Sequence, residues 1–154
     1  QQVVRYAAAN PSLAVDPRAL LSGAMTPKGV AAWVGEQGDN APIIFSTAAP
    51  DAVAEAQRQF GREAVAGKIE SFFAALAICL ADAGIRRIVV GGGETSGSVV
   101  EALGLASMRV GREIDPGVPV LIGERNGPLG LALKSGNFGG PDFFSKALQE
   151  LGRP

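Results

Sequence analysis

Residues 85–104 read IRRIVVGGGETSGSVVEALG, and this stretch decides the fold. Ile88, Val89 and Val90 form a short, continuous apolar run, the pattern of a strand buried on both faces in a parallel sheet. Gly91, Gly92 and Gly93 end that run at once. Val99, Val100 and Leu103 then recur at helical spacing until Gly104 supplies a stop. Just upstream, Ile69, Phe72, Phe73, Leu76, Leu80 and Ala83 form another helical stripe, closed by Gly84. Helix, strand, glycine turn and helix make an α/β unit.

Further along, residues 108–114, 118–122 and 129–134 read as strands, with Asn126-Gly127 as a hairpin signal between the last two. Phe143, Phe144, Ala147, Leu148 and Leu151 share one face of a closing helix that has Asp142 near its N-terminus. Toward the start, residues 1–9 have helix-forming composition, stopped by Asn10-Pro11, and residues 12–21 read as an irregular connector. Thr26-Pro27 opens a helix with Val30, Trp33 and Val34 on one face and Gly38 at its end. Residues 43–45 (IIF), fenced by Pro42 and Ser46, read as a buried strand. Asp51 is placed to cap a helix with the stripe Val53, Ala56 and Phe60, after which Gly61 and Gly67 interrupt the pattern. The expected fold class is α/β, with a mixed central sheet flanked by helices in a single domain.

Composition narrows the function. The chain has 154 residues, 47% hydrophobic and 19% charged, enough for one buried core. Uncharged apolar runs fall short of the roughly 20 residues that a membrane span requires. Fourteen basic against fifteen acidic residues give a net charge of −1, which leaves no electrostatic footprint for nucleic acid or for an anionic membrane. There is no histidine and one cysteine, Cys79, so Ser-His, Cys-His and His-ligated zinc chemistry are excluded, as is an internal disulfide. Cys79 reads as core packing in a reducing, cytoplasmic setting. The start at Gln1, without a capping residue ahead of the first helix, suggests a fragment with a piece missing upstream.

Three glycine-bearing turns remain as candidate chemistry: GGGETSG (residues 91–97), DPGVP (115–119) and SGNFGG (135–140). Each follows a strand, where an open α/β sheet places its ligand crevice, and glycine lets a phosphate approach backbone N–H groups without a Cβ in the way. GGGETSG opens a helix, whose free amides and dipole favour an anion, with Thr95, Ser96 and Ser98 as hydroxyl donors. Standard phosphate motifs nevertheless fail: Gly92 and Gly97 have Walker spacing but Ser98 stands where lysine is needed, and Ser96 stands where a Rossmann fingerprint starting at Gly91 needs glycine. Bland roles compete throughout. The glycines can serve as a tight turn with Ser96 as helix cap, and Glu94 as a charge near a helix N-terminus rather than a holder of Mg²⁺ through water or of a ribose hydroxyl. Lys134 reads either as a solvated surface lysine or as a phosphate-facing cation beside SGNFGG. Asn137 can fill a left-handed turn position, Phe138 can be core or a base-stacking platform, and Asp115 shapes the DPGVP turn. Gly93→Val is expected to obstruct phosphate approach and to clash at positive φ.

Taken together, GGGETSGSVVEALG, REIDPGVPVL and LALKSGNFGGPDFF resemble the C-terminal domain of the four-carbon acid sugar kinases, the group containing threonate, erythronate and 3-oxo-tetronate kinases. The likeness is strong over residues 85–151, weaker over 42–84 and slight before that. It implies a two-domain kinase in which an N-terminal domain carries the acid sugar and residues 1–154 bind ATP with Mg²⁺. By the family pattern Gly92, Gly93, Glu94 and Thr95 contact the nucleotide from the first turn, and Gly136, Asn137 and Gly139 close over it from the second. Ser96 and Lys134 join the candidate site from the reading of the residues themselves. The family also carries a serine-rich nucleotide-contacting segment ahead of the helix at residues 1–9, absent from this sequence, so an incomplete ATP site is expected. The catalytic base and any protein metal ligand stay unassigned, and a homo-oligomer is left open. The alternative is a stand-alone nucleotide-binding regulatory module that uses the same turns without transfer; a purely structural α/β domain is the third reading.

Overall fold

The structure, a computed structural model, describes residues 1–46, 58, 61–136 and 138–152. Its elements in chain order are α1 (Gln2–Ala7), β1 (Ser12–Ala14), α2 (Pro17–Ser22), α3 (Pro27–Glu36), a 3-10 turn at Gly38–Asn40 and β2 (Ile43–Phe45). After them come α4 (Arg62–Asp82), β3 (Arg87–Gly91), α5 (Gly93–Leu103), β4 (Arg109–Asp115), β5 (Val118–Glu124), β6 (Pro128–Lys134) and α6 (Phe143–Leu151). The helix expected from Asp51 with Val53, Ala56 and Phe60 lies outside the described residues.

The strands form two sheets. β1 and β2 pair in parallel, and a four-stranded sheet runs in the order β3-β6-β5-β4. There β3 pairs with β6 in parallel while β6-β5 and β5-β4 are antiparallel, so the sheet is mixed, as the α/β reading expects. Alternation along β6 sorts its side chains: Leu129 and Leu131 join Val90, Val99, Leu103, Ala77 and Ala81 on the face covered by α4 and α5. Ala132 joins Ile114, Val118, Val120, Phe143 and Ala147 on the face covered by α6. A third cluster, built from Val15, Leu20, Val30, Phe72 and Leu76, seats α2 and α3 on α4.

Two turns behave as their residues dictate. Pro116-Gly117 joins β4 to β5, with proline at the second turn position and Gly117 at φ 79°, the backbone a type II turn demands. Asn126 (φ 51°) and Gly127 (φ 112°) turn the β5-β6 hairpin.

Three expectations need correction. Residues 12–21 are not an irregular connector, because they hold β1 and α2. β1 is too short to show alternation and is fixed by its distant pairing with β2, whereas α2 is opened by Asp16, whose carboxylate accepts from the Arg18 amide, and by Pro17. Gly67 does not interrupt the long helix: α4 starts after Gly61, at φ 86°, and runs through Gly67, its packing outweighing the roughly 1 kcal/mol that an interior glycine costs. β3 is not buried on both faces, since Ile88 and Val89 are half-buried beside a cleft. Among the described residues α4 is also long and apolar enough to cross a bilayer, with an 18-residue window of mean hydropathy 1.7. Lys68 and Glu70 hide this from a count of uncharged residues. Here α4 packs against α2, α3 and α5.

Candidate functional site

β3 and β6 are parallel neighbours with Gly91 opposite Lys134 in register. From Gly91 the chain passes to α5 on one face of the sheet, and from Lys134 it passes to α6 on the other. Connections that diverge to opposite faces leave a crevice at the carboxyl ends of the two strands, where open α/β sheets bind ligands. Both glycine turns of interest border this crevice.

The first turn exposes backbone donors. Gly92, at φ 122°, is the N-cap of α5 and makes no side-chain cap. Its amide donates to the Lys134 carbonyl at 2.9 Å, and its carbonyl accepts from the Ser96 amide at 2.9 Å. The amides of residues 93–95 belong to the first helical turn and lack intrahelical acceptors, so the positive end of α5 opens on the crevice. A Cβ on Gly91 would sit 3.4 Å from the Phe144 ring and 3.5 Å from Cε of Lys134, whereas one on Gly93 would meet only Ser135 Oγ at 3.8 Å. The positive φ expected of Gly93 therefore belongs to Gly92, and Gly93 keeps open space rather than a strained backbone. Glu94 is exposed in the first turn and Thr95 is half-buried. Ser96 is not a helix cap. It lies inside α5, buried, and its Oγ has no hydrogen-bond partner among the described residues.

Lys134 is not a surface lysine. It is 4% exposed; its Nζ donates to the carbonyls of Ser135 at 3.2 Å and Gly136 at 2.7 Å and stands 5.6 Å from the centre of the Phe143 ring. Burial pushes its pKa below the ordinary lysine value. None of these partners carries negative charge, so the cation is held by dipoles and a π face at the base of the second turn.

The second turn is braced from three sides. Gly139 has φ 83°, and a Cβ there would lie 2.6 Å from the Phe143 ring and 3.1 Å from Asp115 Oδ2, so only glycine fits. Asp115 accepts from the Gly140 amide at 3.0 Å and pairs with Lys146 of α6. The Lys146 hydrogen bond, then that of Gly140, holds the Asp115 carboxyl below the usual carboxylate range, and Asp115 raises Lys146 in return. Asp115 thus anchors the second turn instead of shaping its own, where Glu113 accepts from the Gly117 amide at 2.7 Å. From α1, Gln2 Nε2 reaches the carbonyls of Phe138, Gly139 and Gly140 at 2.8–3.1 Å. Phe138 is 52% exposed and not core; with Asp115, Pro116, Gly139 and Gly140 it lines a hollow of 440 Å³.

The arrangement can hold an anionic chain along two adjacent turns. Residues 1–144 match the family described as the nucleotide-binding C-terminal domain. The chain belongs to that family. It is similar to proteins named 3-oxo-tetronate kinase from Pseudomonas fluorescens, at 45% identity over 144 residues (94% of this chain, 33% of the relative), and Burkholderia multivorans, at 45% over 150 residues (97% and 35%). It therefore spans about a third of the length of the curated relatives it matches. Among solved structures, a Haemophilus influenzae protein of family DUF1537 superposes with a TM-score of 0.87 at 36% identity, over 97% of this chain and 37% of that one. The family match reaches back to residue 1, further than the motifs alone indicate.

Within this nucleotide-binding domain the fold gathers Gly92, Gly93, Glu94 and Thr95 of the first turn with Lys134, Gly136 and Gly139 of the second. Ser96 turns inward, and Asn137 lies outside the described residues. The free amides, the buried cation and the open space at Gly93 fit a nucleotide's phosphates. No group of three or more Asp, Glu or Cys able to hold a metal occurs among the described residues; Glu94 is the acidic residue of the first turn. The braces Gln2, Asp115 and Lys146 escape sequence reading, because partners 25 to 138 positions apart leave no local signal.

Proposed function

We propose that this chain is the ATP-binding domain of a two-domain cytoplasmic kinase that phosphorylates a hydroxyl of a four-carbon acid sugar of the threonate, erythronate or 3-oxo-tetronate class. The observation that carries this reading is Lys134, a buried cation with no carboxylate partner among the described residues, one strand away from the free amides of α5. An unneutralised buried charge is costly, and an arriving phosphate offsets that cost. The names of the relatives support the substrate class.

ATP with Mg²⁺ supplies the transferable phosphoryl group. The residues of this chain position and neutralise, which is most of what phosphoryl transfer asks of a protein. The amides of residues 93–95 point at the phosphate oxygens, Gly93 leaves room for their approach, and Lys134 adds positive charge from below. Glu94 and Thr95 face the mouth, where a metal-bound water or a ribose hydroxyl finds acceptors. Gly136 and Gly139 give the second turn the close backbone approach that a covering loop needs. The acid sugar and the base that accepts its hydroxyl proton belong to a domain outside residues 1–154.

The test is acid-sugar-dependent ADP formation. A polypeptide that joins an upstream domain to this chain is expected to show it, and residues 1–154 alone are not, because the acceptor hydroxyl must be held in line within roughly 3–3.5 Å of the transferred group. Metal-dependent phosphorylation by residues 1–154 alone would refute the division of labour. Nucleotide binding without transfer in the longer polypeptide would favour a regulatory module.

A further inference from the structure

Between the two sheets lies an apolar cleft of 560 Å³, bordered on one side by β2 and on the other by β3. Among the described residues neither strand has a partner on the side that faces the cleft. The hydrogen bonds identify the groups left over. The Ile43 amide donates to Pro11 and the Phe45 carbonyl accepts from Val15, so both residues turn to β1, and the alternation of a parallel ladder turns Ile44 to the cleft. The Arg86 carbonyl accepts from Gly130 and the Gly92 amide donates to Lys134, so the main chain of Arg87, Val89 and Gly91 faces the cleft in the same way. Apolar side chains close it above and below, with Val3, Tyr6 and Phe144 on one side and Phe73, Leu76 and Leu80 on the other.

Volume alone fits a small molecule, since ligand pockets span about 300–1,000 Å³. The walls fit something else. Two facing rows of N–H and C=O groups unpaired among the described residues, with apolar cover on both faces, are what one more strand requires.

The course of α1 says where that strand comes from. Gln2 bonds to carbonyls of residues 138–140, beyond the carboxyl end of β6, while the Tyr6 hydroxyl donates to Ala41 at 2.7 Å, just ahead of the amino end of β2. α1 therefore runs opposite to β2, β3 and β6, as a crossover helix does after leaving a parallel strand. A chain that enters α1 at Gln1 arrives from the carboxyl end of the cleft. The curated relatives, about three times the length of this chain, have polypeptide to supply it.

We infer that this cleft is the seat of an inserted strand, the extended apolar segment of the longer polypeptide leading into Gln1, lying parallel to β2 and β3 so that the two sheets become one. Its carboxyl end stands beside Gly91 and Thr95, which also line the cleft, and closes the open flank of the candidate site. The inference concerns folding and stands apart from the kinase reading.

Residue-resolved amide exchange on the longer polypeptide tests it. The amides of Ile44, Val89 and Gly91 are expected to exchange roughly 100-fold or more slowly than in an unstructured chain, as ladder amides do. Exchange at the rate of exposed loops would overturn the inference. A paired substitution gives an independent readout, because proline is tolerated on an edge strand whose N–H faces outward and not inside a sheet. Val89→Pro is expected to lower the thermal midpoint of the longer polypeptide well below that of Val89→Ala, and equal midpoints would show that β3 is an edge.

Discussion

The ammonium of Lys134 donates to the carbonyl of Gly136 over 2.7 Å, so the buried cation and the turn proposed to cover the nucleotide are one mechanical unit. With only carbonyl dipoles and the Phe143 ring as partners among the described residues, Lys134 is poised to gain from an anion.

Lys134→Met keeps the buried stem and removes the charge. Nucleotide affinity is expected to fall by about 10- to 100-fold, the worth of a charge-assisted contact to phosphate, while the thermal midpoint holds or rises, because a desolvated cation is gone. Calorimetric titration beside thermal unfolding reads both. Unchanged affinity with a lower midpoint would make Lys134 a structural clamp on Gly136.

Two pH effects follow from two depressed pKa values. The depressed pKa of Lys134 means that the native state holds fewer protons than the unfolded one between the depressed value and 10.5, so this group adds stability as pH rises through that window. A bound phosphate favours its charged form, so at alkaline pH nucleotide binding is expected to take up protons, measurable by calorimetry in buffers of different ionisation enthalpy. The carboxyl of Asp115 is also depressed, and its contribution is present above 3.8 and lost as pH falls through its lower native value. Asp115→Asn should lower the thermal midpoint at neutral pH by about 2–6 °C, with little effect once both forms are protonated in strong acid.

Gly139→Ala and Gly136→Ala separate structure from function within one turn. At Gly139 a methyl meets both a positive φ and the Phe143 ring, at a cost of about 1–3 kcal/mol. At Gly136 a Cβ meets nothing within 4 Å, so the fold should hold while nucleotide affinity falls. Unfolding midpoints and titrations on both variants check the contrast.

Glu94→Ala is expected to weaken Mg-ATP binding several-fold and leave the thermal midpoint within about 1 °C, as exposed residues away from special features do. Titration with and without Mg²⁺ decides its role. A loss confined to the magnesium complex supports a metal-facing carboxylate, and an unchanged affinity returns Glu94 to a helix-dipole role.

Much of this arrangement is legible in the sequence because the signals are local. β3, the glycine turn and α5 announce themselves within residues 85–104, and Asn126-Gly127 and Thr26-Pro27 mark their turn and helix start through backbone preferences. What escapes depends on distant partners. β1 exists through its pairing with β2, and the braces on the second turn join Gln2 to residues 138–140 and Asp115 to Lys146. Lys134 shows the same limit, since its position at the end of an apolar strand suits a solvated lysine equally well until α6 brings the Phe143 ring over it.

The most direct measurement is a crystal structure of the longer polypeptide with a hydrolysis-resistant ATP analogue and Mg²⁺. The account predicts phosphate oxygens within hydrogen-bond reach, about 2.7–3.2 Å, of the amides of residues 93–95 and of Lys134 Nζ, with the second turn over them. A nucleotide bound elsewhere, or one whose phosphates leave Lys134 bonded only to Ser135 and Gly136, would contradict it.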